Sequence, residues 1–147
     1  MGGVWLSADP TFQPDAWRAC FPLHTQATLV CTSNPHGSIT NSDLELAGQI
    51  AGLDVINQHH DCHECTLCTL MDNISAHSWQ CKGSTTTMGP AAYHLRLHAL
   101  HQHHHHYINK SGFTPGPVNA MADDASRLWH LTDDALLAHL TLIYPQS

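Results

Sequence analysis

The stretch Thr66-Leu67-Cys68-Thr69-Leu70-Met71-Asp72-Asn73 constrains the fold of this chain more than any other. It is a short apolar run rich in β-formers that stops abruptly at a carboxylate and an amide, with helical patterns on both sides. Such a run predicts a buried central strand of an α/β sheet. Asp72 then stands at the strand's carboxyl end, where ligands collect in open α/β sheets. The competing reading is an Asx turn that closes the loop.

Upstream, Ser42-Asp43-Leu44-Glu45 has the pattern of a capping box, and Leu44, Ala47, Gly48, Ala51 and Val55 follow with helical spacing, predicting a helix over about 43–57. Gly48 and Gly52 weaken an isolated helix, so they point to close packing against a neighbouring sheet. Glu45, in the first turn, reads either as the capping acid or as a site residue. Gly2-Gly3-Val4-Trp5-Leu6 and Ala16-Trp17-Arg18-Ala19-Cys20-Phe21 read as two strands of a meander, across Pro-bearing turns at Asp9-Pro10 and Pro14-Asp15. Thr28-Leu29-Val30-Cys31 extends that sheet or lies in the connection, and Ser38-Ile39-Thr40 reads as a further short strand. A strand starting at residue 2 carries the expectation that sequence precedes Met1.

Downstream, a short helix is expected over 74–80 and a polar loop over 81–87. Pro90 sits where a helix begins, and Ala92, Leu95 and Ala99, with Leu97 and Leu100 beside them, carry it to about residue 104. Residues 107–113 read as a last strand, stopped by Pro115-Gly116-Pro117. Asn119 is a good N-cap for a helix over 120–130 with Met121, Ala125, Leu128 and Trp129 inward. Thr132-Asp133-Asp134 opens a final helix carrying Leu136, Leu137, Leu140 and Ile143. This reading assigns residues 1–131 to one domain and 132–147 to a C-terminal helix and tail.

Composition narrows the chemistry. Fifteen His stand against five Lys and Arg, the formal charge is −7, and only 12% of residues are charged, about half the usual share. Histidines titrate near pH ~6.5, so mild acid reverses the sign of the charge, and phosphate affinity at neutral pH is expected to be weak. No run of 18 apolar residues exists, and the first 15 residues lack the layout of a signal peptide. The expectation is therefore an intracellular chain, cytoplasmic or nuclear, with no membrane partner and with its six Cys as thiols.

Two clusters invite a soft-metal reading. Cys62, Cys65 and Cys68 are spaced at three and suit zinc, although Cys65 and Cys68 fall on opposite faces if they enter the strand. His94 and His98 are one helical turn apart and suit chelation of zinc or nickel, but no His-Glu-x-x-His arrangement accompanies them. His103 to His106 read as a solvated helix end, where partly protonated imidazoles suit the negative terminus.

Three acids share a pattern: Glu45 opens a helix, Asp72 ends a strand, and Asp123 opens a late helix. With strands first and helix and strand alternating after them, they resemble the ribonuclease H fold, a mixed sheet with helices on both faces. The closer likeness is to the ribonuclease H domain of retrotransposon reverse transcriptases, whose final Asn-x-x-Ala-Asp-x-x-Ser-Arg motif stands here complete as Asn119-Ala120-Met121-Ala122-Asp123-Asp124-Ala125-Ser126-Arg127. Phe113-Thr114-Pro115-Gly116-Pro117 resembles the family's strand end and turn. Thr40-Asn41-Ser42-Asp43-Leu44-Glu45-Leu46-Ala47 and Leu70-Met71-Asp72-Asn73 resemble its second and third acidic motifs. Lys82-Gly83-Ser84-Thr85-Thr86-Thr87 and the stretch from Ala122 to His130 resemble the retroelements that carry a tyrosine recombinase.

The resemblance implies Mg²⁺-dependent hydrolysis of RNA in RNA–DNA hybrids, by two ions roughly 4 Å apart, with a reverse transcriptase domain upstream. Glu45, Asp72 and Asp123 are the implied catalytic and metal-binding residues. Asn73, Ser84 and Thr85 are candidates for 2′-hydroxyl contacts, and Lys82 and Arg96 for phosphates. The family's first strand also carries an Asp, and this chain has no counterpart, since Asp9 and Asp15 lie past the far end of the first strand. Three ligands then hold at most one ion weakly, and the expected activity is impaired. The alternatives are a non-catalytic nucleic-acid-binding module and a zinc- or nickel-binding protein built on the His and Cys clusters.

Overall fold

A computed structural model describes residues 1–7 and 14–145. In chain order the elements are β1 (Gly2–Trp5), β2 (Asp15–Arg18), α1 (Leu23–Ala27), α2 (Asn41–His59), β3 (Thr66–Met71), α3 (Ile74–Lys82), α4 (Pro90–His105), β4 (Ile108–Phe113), α5 (Ala120–Arg127) and α6 (Asp133–Ile143). The chain is mixed α/β, with an antiparallel β1–β2 pair, a parallel β3–β4 pair and helices. By packing it divides into two units, Phe21–Pro115 and the combination of Met1–Cys20 with Gly116–Ser147. Among the described residues no helix is long and apolar enough to cross a membrane.

In the unit Phe21–Pro115, the apolar run forms a strand but not a central one. Among the described residues β3 has a single partner, β4, with Thr66 opposite Ile108 and Met71 opposite Phe113. Parallel strands need a long crossover, and α3 and α4 supply it. Side chains alternate across a strand: Leu67, Thr69 and Met71 turn inward while Thr66, Cys68 and Leu70 face outward, Leu70 being 65% exposed. The unbroken apolar run therefore overstates the burial. Leu70 lies over its cross-strand partner Gly112, where an added Cβ would come within 2.8 Å of its Cδ2, so the outward leucine leans across the ribbon.

Helix α2 starts two residues earlier than the Ser42 to Glu45 pattern implies. Thr40 is the N-cap: its hydroxyl accepts from the Asp43 amide at 3.3 Å, and the Asp43 carboxylate accepts from the Thr40 amide at 2.8 Å. The capping box is thus Thr40/Asp43 and not Ser42/Glu45. Threonine wins because the Asp three residues on is buried at 3% exposure and closes the box from inside. Gly48 and Gly52 are buried as expected, and α2 lies against α3 and α4 as well as β3. The core here joins Leu46, Ile50, Met71, Ala76, Ala91 and Leu95, with Trp79 against it.

Helix α4 presents a different face from the one its apolar residues suggest. Ala91, Leu95 and His98 are buried, whereas Leu97 and Leu100 are 53% and 67% exposed. Short helix α1 carries no apolar pattern and lies in a stretch for which the sequence gives no element. Thr28 to Cys31 and Ser38 to Thr40 contribute isolated bridges only, Leu29 to Ile39 and Cys31 to Asn34.

In the other unit, β1 and β2 pair from Gly2 opposite Arg18 to Trp5 opposite Asp15. The expected turn at Asp9-Pro10 lies outside the described residues. Ala125, Leu136 and Leu140 form the core, with Val4, Met121, Leu128, Leu131 and Tyr144 around it. Gly2 meets α5 so closely that a Cβ would lie 2.9 Å from the Ser126 backbone, which only glycine permits. Asn119 occupies the N-cap position of α5, but its side chain makes no cap hydrogen bond. The helix ends at Arg127 rather than near 130, where the Trp129 indole donates to the Ser126 carbonyl at 2.7 Å.

Candidate functional site

Glu45 and Asp72 belong to the unit Phe21–Pro115, and Asp123 to the other. Glu45 is half-buried on α2, and the cap that would have explained it belongs to Asp43. Asp72 is exposed directly after β3. Asn73 then N-caps α3, its side-chain oxygen accepting from the Ala76 amide at 3.0 Å, so its amide nitrogen is what remains for a ligand. Asp123 lies in the first turn of α5 and pairs with Arg127 four residues on. Its neighbour Asp124 has a structural task, accepting from the Tyr144 hydroxyl at 2.9 Å and facing the His139 imidazole at 3.2 Å, which ties α5 to α6.

Among the polar candidates, Lys82 ends α3 and Arg96 lies on α4, both exposed. Ser84 is exposed, and the Thr85 hydroxyl accepts from the Thr87 amide at 3.0 Å. Gly83 between them takes the left-handed conformation at φ 62° that closes α3, with open space where a Cβ would stand.

The most structured cluster of titratable groups lies elsewhere in the same unit. His94, His98, His101 and His105, spaced four, three and four, are buried or half-buried along α4, while His103 and His104 are exposed. The imidazoles thus take up positions that the apolar pattern assigned to Ala92, Ala99, Leu97 and Leu100. His98 is 6% exposed with an unpartnered Nε2, and burial, reinforced by His101, pushes it down to about 4. Burial also lowers His94, partly offset by the Asp43 carboxylate.

Toward the carboxyl end of α4 the partners become defined. His101 Nε2 lies 3.3 Å from Asp54 Oδ1 on α2, and His101 Nδ1 lies 2.8 Å from the Tyr107 hydroxyl. Tyr107 is 4% exposed, and burial keeps its phenol protonated well above the ordinary range. Gln58 donates to Asp54 Oδ2 at 2.7 Å. The His101 and His105 rings are 4.3 Å apart between centroids. One donor atom each from Asp54, His101 and His105 falls within 4.8 Å of the others. Beside them opens a cleft of about 260 Å³ lined by His60, Asp61, Cys62, His63, His104 and His105, among others.

The cysteine triad does not assemble a comparable group among the described residues. Cys62 is buried and its thiol is pushed up by burial, with Cys65 and Asp61 adding to the shift, while Cys65 and Cys68 are exposed. Among the described residues His94 and His98 likewise form no ligand group of three. The sequence patterns give Asp54 and His101 no role, and His105 falls in the run read as a solvated helix end, whereas in the structure it is half-buried. The signal available was the i, i+3, i+4 recurrence of His on one helix, a periodicity normally read for apolar residues alone.

Comparison with known proteins returns no match among family models, curated proteins or solved structures.

Proposed function

We propose that the chain is a ribonuclease H-like domain of retroelement origin, of the kind joined to a reverse transcriptase, whose ligand is an RNA–DNA hybrid. In that fold a mixed sheet carries helices on both faces. The observation that carries the reading is a continuous run of features. Strand β3 pairs in parallel with β4, Asp72 follows β3 at its carboxyl end, and β4 leads through Pro115-Gly116-Pro117 into the complete motif at 119–127.

The roles follow residue by residue. Glu45, Asp72 and Asp123 are assigned to Mg²⁺, and an all-oxygen donor set suits that hard cation. Bound there, Mg²⁺ would polarise a water and the scissile phosphate. The Arg127 guanidinium beside Asp123 neutralises that carboxylate and must be displaced or shared on metal binding. The 147 residues carry three of the carboxylates that the resemblance implies as ligands, so on them Mg²⁺ would be held weakly and hybrid binding is expected to exceed hybrid cleavage. Lys82 and Arg96 are assigned to phosphates, and Asn73, Ser84 and Thr85 to the hybrid's 2′-hydroxyl edge.

A salt titration of hybrid binding tests this. The chain should prefer RNA–DNA hybrid to DNA duplex, and removing Lys82 and Arg96 together should reduce the salt slope by about 2 while weakening binding to every sequence alike. Equal affinity for the DNA duplex, or a slope untouched by the double substitution, would contradict it.

A further inference from the structure

We propose that Asp54, His101 and His105 form a three-ligand site for a divalent transition-metal ion, zinc by its donor set, whose open position faces the cleft beside α4. The proposal stands apart from the ribonuclease reading and uses none of its residues.

Each donor is placed by a rigid element. His101 and His105 are four apart on α4, which puts both rings on one helical face. Asp54 reaches them from α2. The His101 Nε2 to Asp54 Oδ1 separation of 3.3 Å equals the edge of a tetrahedron whose bonds are about 2.0 Å, which is about 3.3 Å. The third donor, on the half-buried His105, lies within 4.8 Å of the other two.

The supporting shell is also present. A metal-binding histidine commonly donates its second N–H to an oxygen, which fixes the tautomer that presents a lone pair to the ion. The buried Tyr107 hydroxyl at 2.8 Å from Nδ1 is such an oxygen. Asp54 is oriented by Gln58 on its other oxygen. Two imidazoles and one carboxylate disfavour Mg²⁺ and Ca²⁺, which seek oxygen, and suit zinc or a neighbouring first-row ion.

Three protein ligands leave a position open, the pattern of exchangeable rather than closed zinc sites. His105 belongs both to the ligand set and to the wall of the 260 Å³ cleft, so the fourth position opens on Asp61, His60 and His63. The cleft then supplies water or an anionic group of a small ligand.

Calorimetric titration of ZnCl₂ into the full chain, made without an affinity tag and stripped with EDTA, tests the site. One ion should bind more tightly than any other. His101→Gln with His105→Gln should weaken that event by more than about 10-fold. His24→Gln with His103→Gln, which removes two exposed imidazoles, should leave it within about 2-fold. If the first pair fails to fold, Asp54→Asn substitutes for it, because the half-exposed Asp54 keeps its size and its Gln58 partner; the same loss is expected. An equal loss in both histidine pairs would show diffuse binding and overturn the proposal. An affinity unchanged by Asp54→Asn, or no tight first event in the wild type, would overturn it as well.

Discussion

His101 and Asp54 stand 47 positions apart in sequence, yet the Nε2 of one lies 3.3 Å from the Oδ1 of the other, joining α4 to α2 within a single unit. Neither residue belongs to an apolar pattern. The contact shows that the α2–α4 packing, apolar at Leu46, Ile50, Ala91 and Leu95, becomes polar toward the carboxyl ends of both helices.

The Tyr107 hydroxyl is the first lever on that contact. Tyr107→Phe keeps the buried ring and removes the oxygen facing His101 Nδ1. Zinc affinity measured by calorimetry should fall by about 10-fold, while the metal-free chain loses about 1 kcal/mol in urea unfolding. A stability loss with unchanged zinc affinity would reduce Tyr107 to a packing role.

His98 makes stability depend on pH. Its folded value of about 4 lies below the unfolded ~6.5, so the native state excludes a proton that the unfolded chain accepts. The stabilisation is full above about pH 6.5 and is lost as pH falls toward 4, up to about 3 kcal/mol for this one group. Urea midpoints at pH 7.5 and 4.5 should therefore differ less in His98→Leu than in the wild type. The buried Nε2 has no partner to lose, so that variant should not be destabilised at pH 7.5.

Arg18 should matter far more than its ion-pair partner. Its guanidinium donates to the carbonyls of Leu128 at 2.9 Å and Leu131 at 2.8 Å, and it stacks on Trp129 at 5.1 Å. Asp133, at 2.6 Å, is almost fully exposed. Arg18→Ala should cost about 2 kcal/mol because two half-buried carbonyls lose a charged donor. Asp133→Ala should cost about 0.5 kcal/mol. Chemical denaturation of both variants gives the comparison.

The position of the α2 cap is equally open to test. Thr40→Ala should destabilise by about 1 kcal/mol, and Ser42→Ala should change stability by less than about 0.5 kcal/mol. The reverse order would restore the box that the sequence pattern suggests.

What was legible in the sequence is the order of elements. The strand at 66–71, the helices at 41–59 and 90–105 and the strand at 108–113 stand close to where periodicity and capping put them, because each is long enough for local signals to accumulate. The cap shifted by two residues since Thr40/Asp43 and Ser42/Glu45 both satisfy the same local rule, and only burial of Asp43 separates them. The inward face of α4 was hidden because imidazole, counted as polar, packs there beside Leu95. Leu70 reads as core in any run of apolar residues, but strand alternation puts it on the outward face of the ribbon, where it stays 65% exposed. The Asp54–His101 contact depends on helix pairing, which no local pattern encodes.

Mg²⁺-dependent cleavage of a labelled RNA–DNA hybrid is the direct test of the proposed ribonuclease H-like function. The 147-residue chain should give little or no product. The same chain extended ahead of Gly2 by a strand carrying an Asp should cleave the RNA strand, and Asp72→Asn, which keeps the shape and removes the anionic ligand, should abolish that cleavage. A folded, extended chain that leaves the hybrid intact, or cleavage that survives Asp72→Asn, would rule out a ribonuclease H site at these residues.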